Sequence, residues 1–232
     1  MEDGKKMNNL NVLHEDNHII VVEKIINIPS QSDSSNDIDM LTIVKNYIKE
    51  KYNKPSNVYL GLIHRLDRPV GGIMVFARTS KAASRLSKDV RENMIHKTYL
   101  TIVHGKLVKN KGTLIDSISK NEKTNTSYID NQNGKKAILE YETLKYNKDS
   151  NLSLLKVNLI TGRHHQIRLQ MSNNKNPIYG DQRYGVQDKK QIALYAYKLE
   201  FMHPVKKELM VFKSFPEEDG VWKMLKDVKE ML

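Results

Sequence analysis

Residues 61–77, Gly-Leu-Ile-His-Arg-Leu-Asp-Arg-Pro-Val-Gly-Gly-Ile-Met-Val-Phe-Ala, constrain the fold of this chain more than any other stretch. Two apolar runs, Val58 to Ile63 and Ile73 to Ala77, enclose a polar link that carries His64, Arg65, Asp67 and Arg68. Short apolar runs bounded by turn residues predict buried strands. Pro69, Gly71 and Gly72 predict a loop between them, because proline fixes φ and glycine admits positive φ. The chain must therefore hold a carboxylate among cations, between two buried strands. Two readings fit this stretch alone: an Asp–Arg pair that locks the loop, or a carboxylate kept there for chemistry.

Composition narrows the chemistry. The 232 residues include no cysteine, which excludes disulfides, thiolate metal sites and cysteine catalysis. No apolar run approaches the length of a membrane span, and the N-terminal Met-Glu-Asp-Gly-Lys-Lys shows no apolar signal region. A cytoplasmic protein without membrane contact is expected. The net charge of +11 is unevenly placed: residues 1–40 hold three Lys against eight acids, and the rest holds 35 basic against 19 acidic residues. So basic a region attracts polyanions, nucleic acid first among them. A Lys-rich solvated surface explains many of the lysines, but not the clustering of Arg around the polar motifs.

Along the chain, residues 11–26 read as a hairpin turning at Glu15-Asp16-Asn17. The Ser- and Asp-rich stretch 29–36 reads as a loop. A helix follows with Asp37 or Asp39 as N-cap and a stripe of Met40, Leu41, Val44, Tyr47 and Ile48, ending at Pro55. Thr79 caps a second helix with Ala82, Ala83, Leu86 and Val90 on its apolar face and Lys81, Arg85, Lys88 and Arg91 opposite. His96 to His104 alternates as a strand. Residues 105–136 read as a mobile, Lys-rich surface element with one weak strand at Thr113 to Ile118. Strands are expected at Ala137 to Tyr146, Leu152 to Ile160, Ile192 to Phe201 and Leu209 to Phe212. A helix should open near Arg168, and Val221 to Leu232 should close the chain as an amphipathic helix. Many antiparallel strands with few helices define an α+β class. Residues 1–9 are expected as a flexible N-terminus and 10–232 as one domain.

Three polar clusters adjoin predicted strand ends: His64 to Arg68, Lys97-Thr98-Tyr99, and Gly162-Arg163-His164-His165-Gln166-Ile167-Arg168. They offer one carboxylate, one phenol and several guanidinium groups. Hydrolysis ordinarily needs paired carboxylates, a nucleophile–His couple or a metal. Metal binding fails on spacing, since adjacent His164 and His165 diverge by about 100° on a helix and no carboxylate completes a site. His-Arg-Leu-Asp superficially matches a kinase catalytic loop, but the Gly-rich loop, Val-Ala-Ile-Lys and Asp-Phe-Gly are missing. No phosphate-binding loop or dinucleotide fingerprint occurs.

Five strings, His64-Arg-Leu-Asp-Arg-Pro-Val-Gly-Gly, Lys97-Thr-Tyr-Leu, Thr161-Gly-Arg-His-His-Gln-Ile-Arg-Leu, Pro177-Ile-Tyr-Gly-Asp and Leu199-Glu-Phe-Met-His-Pro, together resemble the RluA-type RNA pseudouridine synthases in order and spacing. The resemblance runs from about Val12 to Phe212. It implies a mixed, largely antiparallel sheet flanked by helices, with a central active-site cleft. It also implies isomerisation of uridine in folded ribosomal or transfer RNA, the C1′–N1 bond being replaced by C1′–C5 without any cofactor. Carried over by motif, Asp67 is the catalytic carboxylate. Tyr99 stacks on the uracil and serves in removing the C5 proton, and Arg168 pairs with Asp67. Arg65 helps displace or hold the flipped nucleotide, and His64, Arg68, Arg163, His165 and Gln166 are expected at the RNA.

The chain departs from the common pattern at Pro69-Val70-Gly71-Gly72, where many relatives carry Thr-Ser-Gly, and at His164 and Tyr195. The small basic RNA-binding domain that precedes some relatives' catalytic domain is not expected here, and a monomer is. The rival reading from another class is a non-catalytic RNA-binding module on the same fold.

Overall fold

The computed structural model describes residues 10–232, so the expected flexible segment 1–9 lies outside the described residues. The span 10–232 divides into two compact units. One runs through Ile95 and takes in Lys198–Ser214; the other comprises His96–Tyr197 and Phe215–Leu232. The α+β class is as expected, with mostly antiparallel strands and three α-helices among the described residues.

In the first unit, β1 (Val12–Glu15) and β2 (Ile19–Lys24) form the expected hairpin. Asp16 makes its turn, Oδ1 accepting from the backbone N–H of His18 and Ile19 at 2.8 and 2.9 Å. Its other oxygen meets Nε2 of the fully buried His203 at 2.9 Å. His203 Nδ1 accepts from the N–H of Val205 and Lys206, so the proton must sit on Nε2 and point at Asp16. Partial burial alone would raise the Asp16 pKa, but these hydrogen bonds hold it at about 2. The His203-Pro204 string thus anchors the turn.

Helix α1 (Met40–Lys51) starts at Asp39, whose carboxylate accepts from Thr42 N at 3.0 Å. It buries Met40, Ile43, Val44 and Ile48, while Leu41 and Tyr47 lie half-buried at the stripe's margin. Strand β3 is only Gly61–Leu62, shorter than the run from Val58 suggests. It pairs with β4 (Gly71–Ala77), which β2 accompanies along its whole length and which also neighbours β10 (Leu194–Met202). A strand has two edges, so β3 must share one with β10. Gly71 and Gly72, expected in the loop, already belong to β4, where Gly72 pairs with Lys24 at a φ of 120° that L side chains rarely adopt. Helix α2 (Ser80–Arg91) is capped by Thr79, accepting from Ala82 N at 3.1 Å. Arg85 leaves the solvated face and donates to the Pro204 carbonyl at 2.6 Å. Strand β11 (Leu209–Lys213) pairs with β10. Ile19, Val21, Ile73, Val75, Leu86 and Phe201 lie in this unit's core.

The second unit is built on antiparallel pairs whose order in the sheet is not their order in the chain. Its order runs from β10 through β5 (His96–His104), β9 (Leu152–Leu159), β8 (Lys135–Asn147) and β6 (Lys111–Asn121) to β7 (Thr126–Ile129). The strand expected at Thr113 to Ile118 lies within β6, but the rest of residues 105–136 is less loop-like than expected, because β8 partners β6 from Lys111 to Ile118 and β7 pairs with its end. Pairing with a neighbour offsets the low apolar content that made this stretch look unstructured. Helix α3 (Gln166–Asn173) begins after His165. The C-terminal segment is also not an α-helix: 3₁₀ turns span Gly220–Leu225 and Lys229–Met231. Trp222 and Leu225, three residues apart in the first 3₁₀ segment, share one face, and with Val228 they pack against a core holding Leu100, Ile102, Leu154 and Tyr197.

Candidate active site

The carboxylate of Asp67 is carried by a short loop in the first unit whose backbone is fixed on both sides. Before it, Leu66 N donates to Ser30 Oγ at 3.1 Å while that hydroxyl donates back to Leu66 O at 2.8 Å. After it, the Lys24 ammonium donates to the carbonyls of Arg68 and Val70 at 2.8 and 2.7 Å, and to Ile25 O at 3.1 Å. Asp67 itself closes a turn, its carbonyl accepting from Val70 N at 2.9 Å. Lys24 is 2% exposed. Burial lowers its pKa to about 7, against the opposing pull of the Asp67 charge. A buried cation and a buried hydroxyl thus leave the Asp67 backbone little freedom.

The other cations of this loop are placed differently. Arg68 turns away to Asp37 at 2.6 Å and Asp33 at 3.2 Å, so the ion pair that locks the loop is made with residues 33–37. Arg65 is exposed. The Nε2 of His64 accepts from Val75 N at 3.2 Å, which ties the loop's start to β4.

In the second unit, Tyr99 lies on β5 opposite Val157 and is 6% exposed. Arg168, in the first turn of α3, is also 6% exposed. Asp181 grips it in a fork: Nε donates to Oδ2 at 2.8 Å and a terminal nitrogen to Oδ1 at 2.7 Å. The Tyr184 ring lies 5.4 Å from the guanidinium carbon. Burial of Asp181 favours its neutral form, but the hydrogen bonds and charge of Arg168 and two backbone N–H groups outweigh it and lower the pKa. The Tyr184 hydroxyl accepts from Ser127 N at 2.7 Å and meets His165 Nδ1 at 2.9 Å. His165 holds a left-handed φ of 51°, a strained setting for a residue with a side chain, at the point where the chain enters α3.

Gln166 is 2% exposed and engages all of its polar groups within the protein. Its oxygen accepts from Thr161 Oγ1 and Arg163 N, and its amide donates to Ile138 O and Gln170 Oε1. It holds the Thr161-Gly162-Arg163 loop, whose Arg163 side chain is exposed and donates through Nε to Lys136 O at 2.9 Å. Lys97, two residues before Tyr99, places its ammonium against this loop: a methyl group on Gly162 would lie 3.3 Å from Nζ. Burial lowers the Lys97 pKa.

Sequence reasoning missed Ser30, Lys24, Asp181 and Tyr184. Lys24 had one available signal, since it continues the inward face of Ile20 and Val22 where an apolar residue belongs. Asp181 closes the Pro177–Asp181 string, but nothing in its spacing names Arg168 as the partner. Among the described residues, no helix is long and apolar enough to cross a membrane.

The comparisons with known proteins agree with this fold. The family model described as RNA pseudouridylate synthase matches residues 18–173. An uncharacterised RNA pseudouridine synthase of Aquifex aeolicus is 31% identical over 88% of this chain and 68% of its own length. The ribosomal large subunit pseudouridine synthase D of Xanthomonas campestris is 30% identical, over 95% of this chain and 70% of its own. The fold is shared with the human RNA pseudouridylate synthase domain containing 4, at a TM-score of 0.77, 20% identity, and coverage of 93% of this chain and 92% of that one. The chain belongs to the RNA pseudouridine synthase family, isomerases that convert uridine to pseudouridine in RNA.

Proposed function

We propose that this protein isomerises particular uridines in structured RNA, ribosomal RNA above transfer RNA, with Asp67 as the catalytic carboxylate. The observation that carries the reading is the Asp67 loop itself. Lys24 and Ser30, both buried, fix the backbone on either side of one carboxylate. Ribosomal RNA is favoured because the Xanthomonas campestris relative is named for the large ribosomal subunit.

The reaction breaks C1′–N1, turns the freed uracil, joins C1′ to C5, releases the C5 proton and leaves a proton on N1, so no atom is gained or lost. The target nucleotide leaves its stack first, at a cost of roughly a few kcal/mol that phosphate and pocket contacts offset. The ionised Asp67 carboxylate acts on the nucleoside as the glycosidic bond breaks. Arg168 is the cation assigned to that carboxylate. Tyr99 stacks on the uracil through its face and serves through its hydroxyl in removing the C5 proton. Arg65 and Arg163, both exposed, are suited to phosphates and to the displaced strand.

The test is to map pseudouridine in RNA from cells lacking the protein, then restore either the wild type or Asp67→Asn. At least one modified uridine should vanish, return with the wild type and stay absent with the variant. An unchanged map would contradict the proposal, and so would full restoration by Asp67→Asn.

A further inference from the structure

Six lysines of the second unit each have a carboxylate partner. Lys111 and Lys156 meet Glu142, Lys120 meets Glu122, Lys145 meets Asp227, Lys190 meets Asp188 and Lys229 meets Glu218. Lys97 differs. No carboxylate partner is seen for it among the described residues, and where other lysines of the unit without one, such as Lys106, Lys109 and Lys123, are exposed, Lys97 is partly withdrawn from water against the Thr161-Gly162-Arg163 loop. That loop brings a second cation, because Arg163 anchors only its Nε, on the Lys136 carbonyl, and remains exposed. An ammonium partly withdrawn from water with no carboxylate beside it loses favourable interactions unless an anion arrives.

Gly162 fits the same arrangement. Its missing side chain lets Lys97 Nζ come this close to the loop, since a Cβ there would press on the nitrogen at 3.3 Å. Gln166, buried beneath the loop, fixes it by accepting from both Thr161 and Arg163. The cationic site is therefore built on fixed backbone.

Its position names the anion. Lys97 and Tyr99 are two residues apart on β5, so their side chains leave the same face of the strand, about 6.6 Å apart along it. That is comparable to the separation of a nucleobase from the phosphate of its own nucleotide. We propose that Lys97 binds a backbone phosphate of the RNA adjoining the uridine that stacks on Tyr99, with the exposed Arg163 of the same loop as a second cation for the strand. This rests on the reading of Tyr99 as the stacking residue. It makes the Lys97–Gly162 contact a phosphate site and assigns the Lys-x-Tyr spacing a physical meaning: one residue for the charge, the next on that face for the base.

Salt dependence tests it. RNA binding is measured against salt concentration in the Asp67→Asn protein, so that turnover does not interfere, using an RNA that contains a target uridine. Adding Lys97→Gln should lower the slope of log Kd against log salt by about one and weaken binding several-fold at fixed salt. Lys97→Arg should preserve the slope. Lys145→Gln, which removes one charge already paired with Asp227, should leave it unchanged. Lys97→Met serves as a second neutral variant should glutamine disturb β5. With Asp67 intact, Lys97→Gln should raise KM for RNA far more than it lowers kcat. An unaltered slope in both neutral variants would overturn the proposal. A raised KM with an unaltered slope would do so as well, because the ammonium would then be contacting an uncharged part of the nucleotide. Binding slopes need no catalysis, so a wild type inactive on uridine would refute the reading of the site while leaving the phosphate contact separately measurable.

Discussion

Asp67 and Lys24 are coupled through the backbone. The Lys24 ammonium reaches past the carboxylate's own residue to the carbonyls of Arg68 and Val70, and those bonds set where the loop lies. Replacing Lys24 by Met leaves two loop carbonyls without that donor, and should destabilise the protein by about 2 kcal/mol or more and reduce activity. The pH dependence gives a sharper signature. Burial lowers the folded-state pKa of Lys24 from 10.5 to about 7, so between those values the unfolded chain binds more protons at this site than the native one. Its contribution therefore makes stability rise with pH across that window. Denaturant midpoints measured across the window should climb more steeply for the wild type than for Lys24→Met. Parallel pH profiles would show that Lys24 is not buried as described.

At the scale of elements, α3 and the loop that follows it act together. Asp181 holds Arg168 against the first turn of α3, and its Oδ1 also accepts from Arg183 N and Tyr184 N at 2.9 and 3.2 Å. Asp181→Asn keeps the shape but removes the charge of a buried bidentate pair, and should cost about 3 kcal/mol. Under the proposed role of Arg168, activity should fall with it, kcat more than KM, because Asp181 would then serve to orient a guanidinium at the site. An unshifted denaturation midpoint would contradict this. The elements themselves were unevenly legible. The first hairpin, α1, α2, β5, β8 and β9 follow from turn residues, caps and periodicity written locally in the chain. Beyond the expected Thr113–Ile118 strand, the extension into a β6–β7 hairpin and the terminal 3₁₀ turns do not, since β8 and a distant apolar core decide them. The same division applies to the site. Asp67 was visible as a carboxylate breaking an apolar pattern, and Arg168 through the Thr161–Leu169 string. The roles of their supports Ser30, Lys24 and Asp181 were hidden, even where Lys24 itself broke an apolar face, because each acts across a separation in sequence that no spacing rule encodes. Arg68 shows the hazard of local reading: its carboxylates lie at Asp33 and Asp37, more than thirty residues away.

For the whole molecule, family membership, the basic surplus beyond residue 40 and the fixed Asp67 loop all bear on one claim, that a single carboxylate on a rigid loop rearranges uridine in RNA. A binding module would need the positive surface but not the buried Lys24 and Ser30 that restrain Asp67. The direct measurement is tritium release from RNA labelled at uridine C5, with wild type, Asp67→Asn and Tyr99→Phe compared on the same cellular RNA. The wild type should release tritium. Asp67→Asn should bind the RNA yet release none above background, and Tyr99→Phe should bind and stack but release it more slowly. Release by Asp67→Asn at the wild-type rate, or none by the wild type on any cellular RNA, would contradict the account.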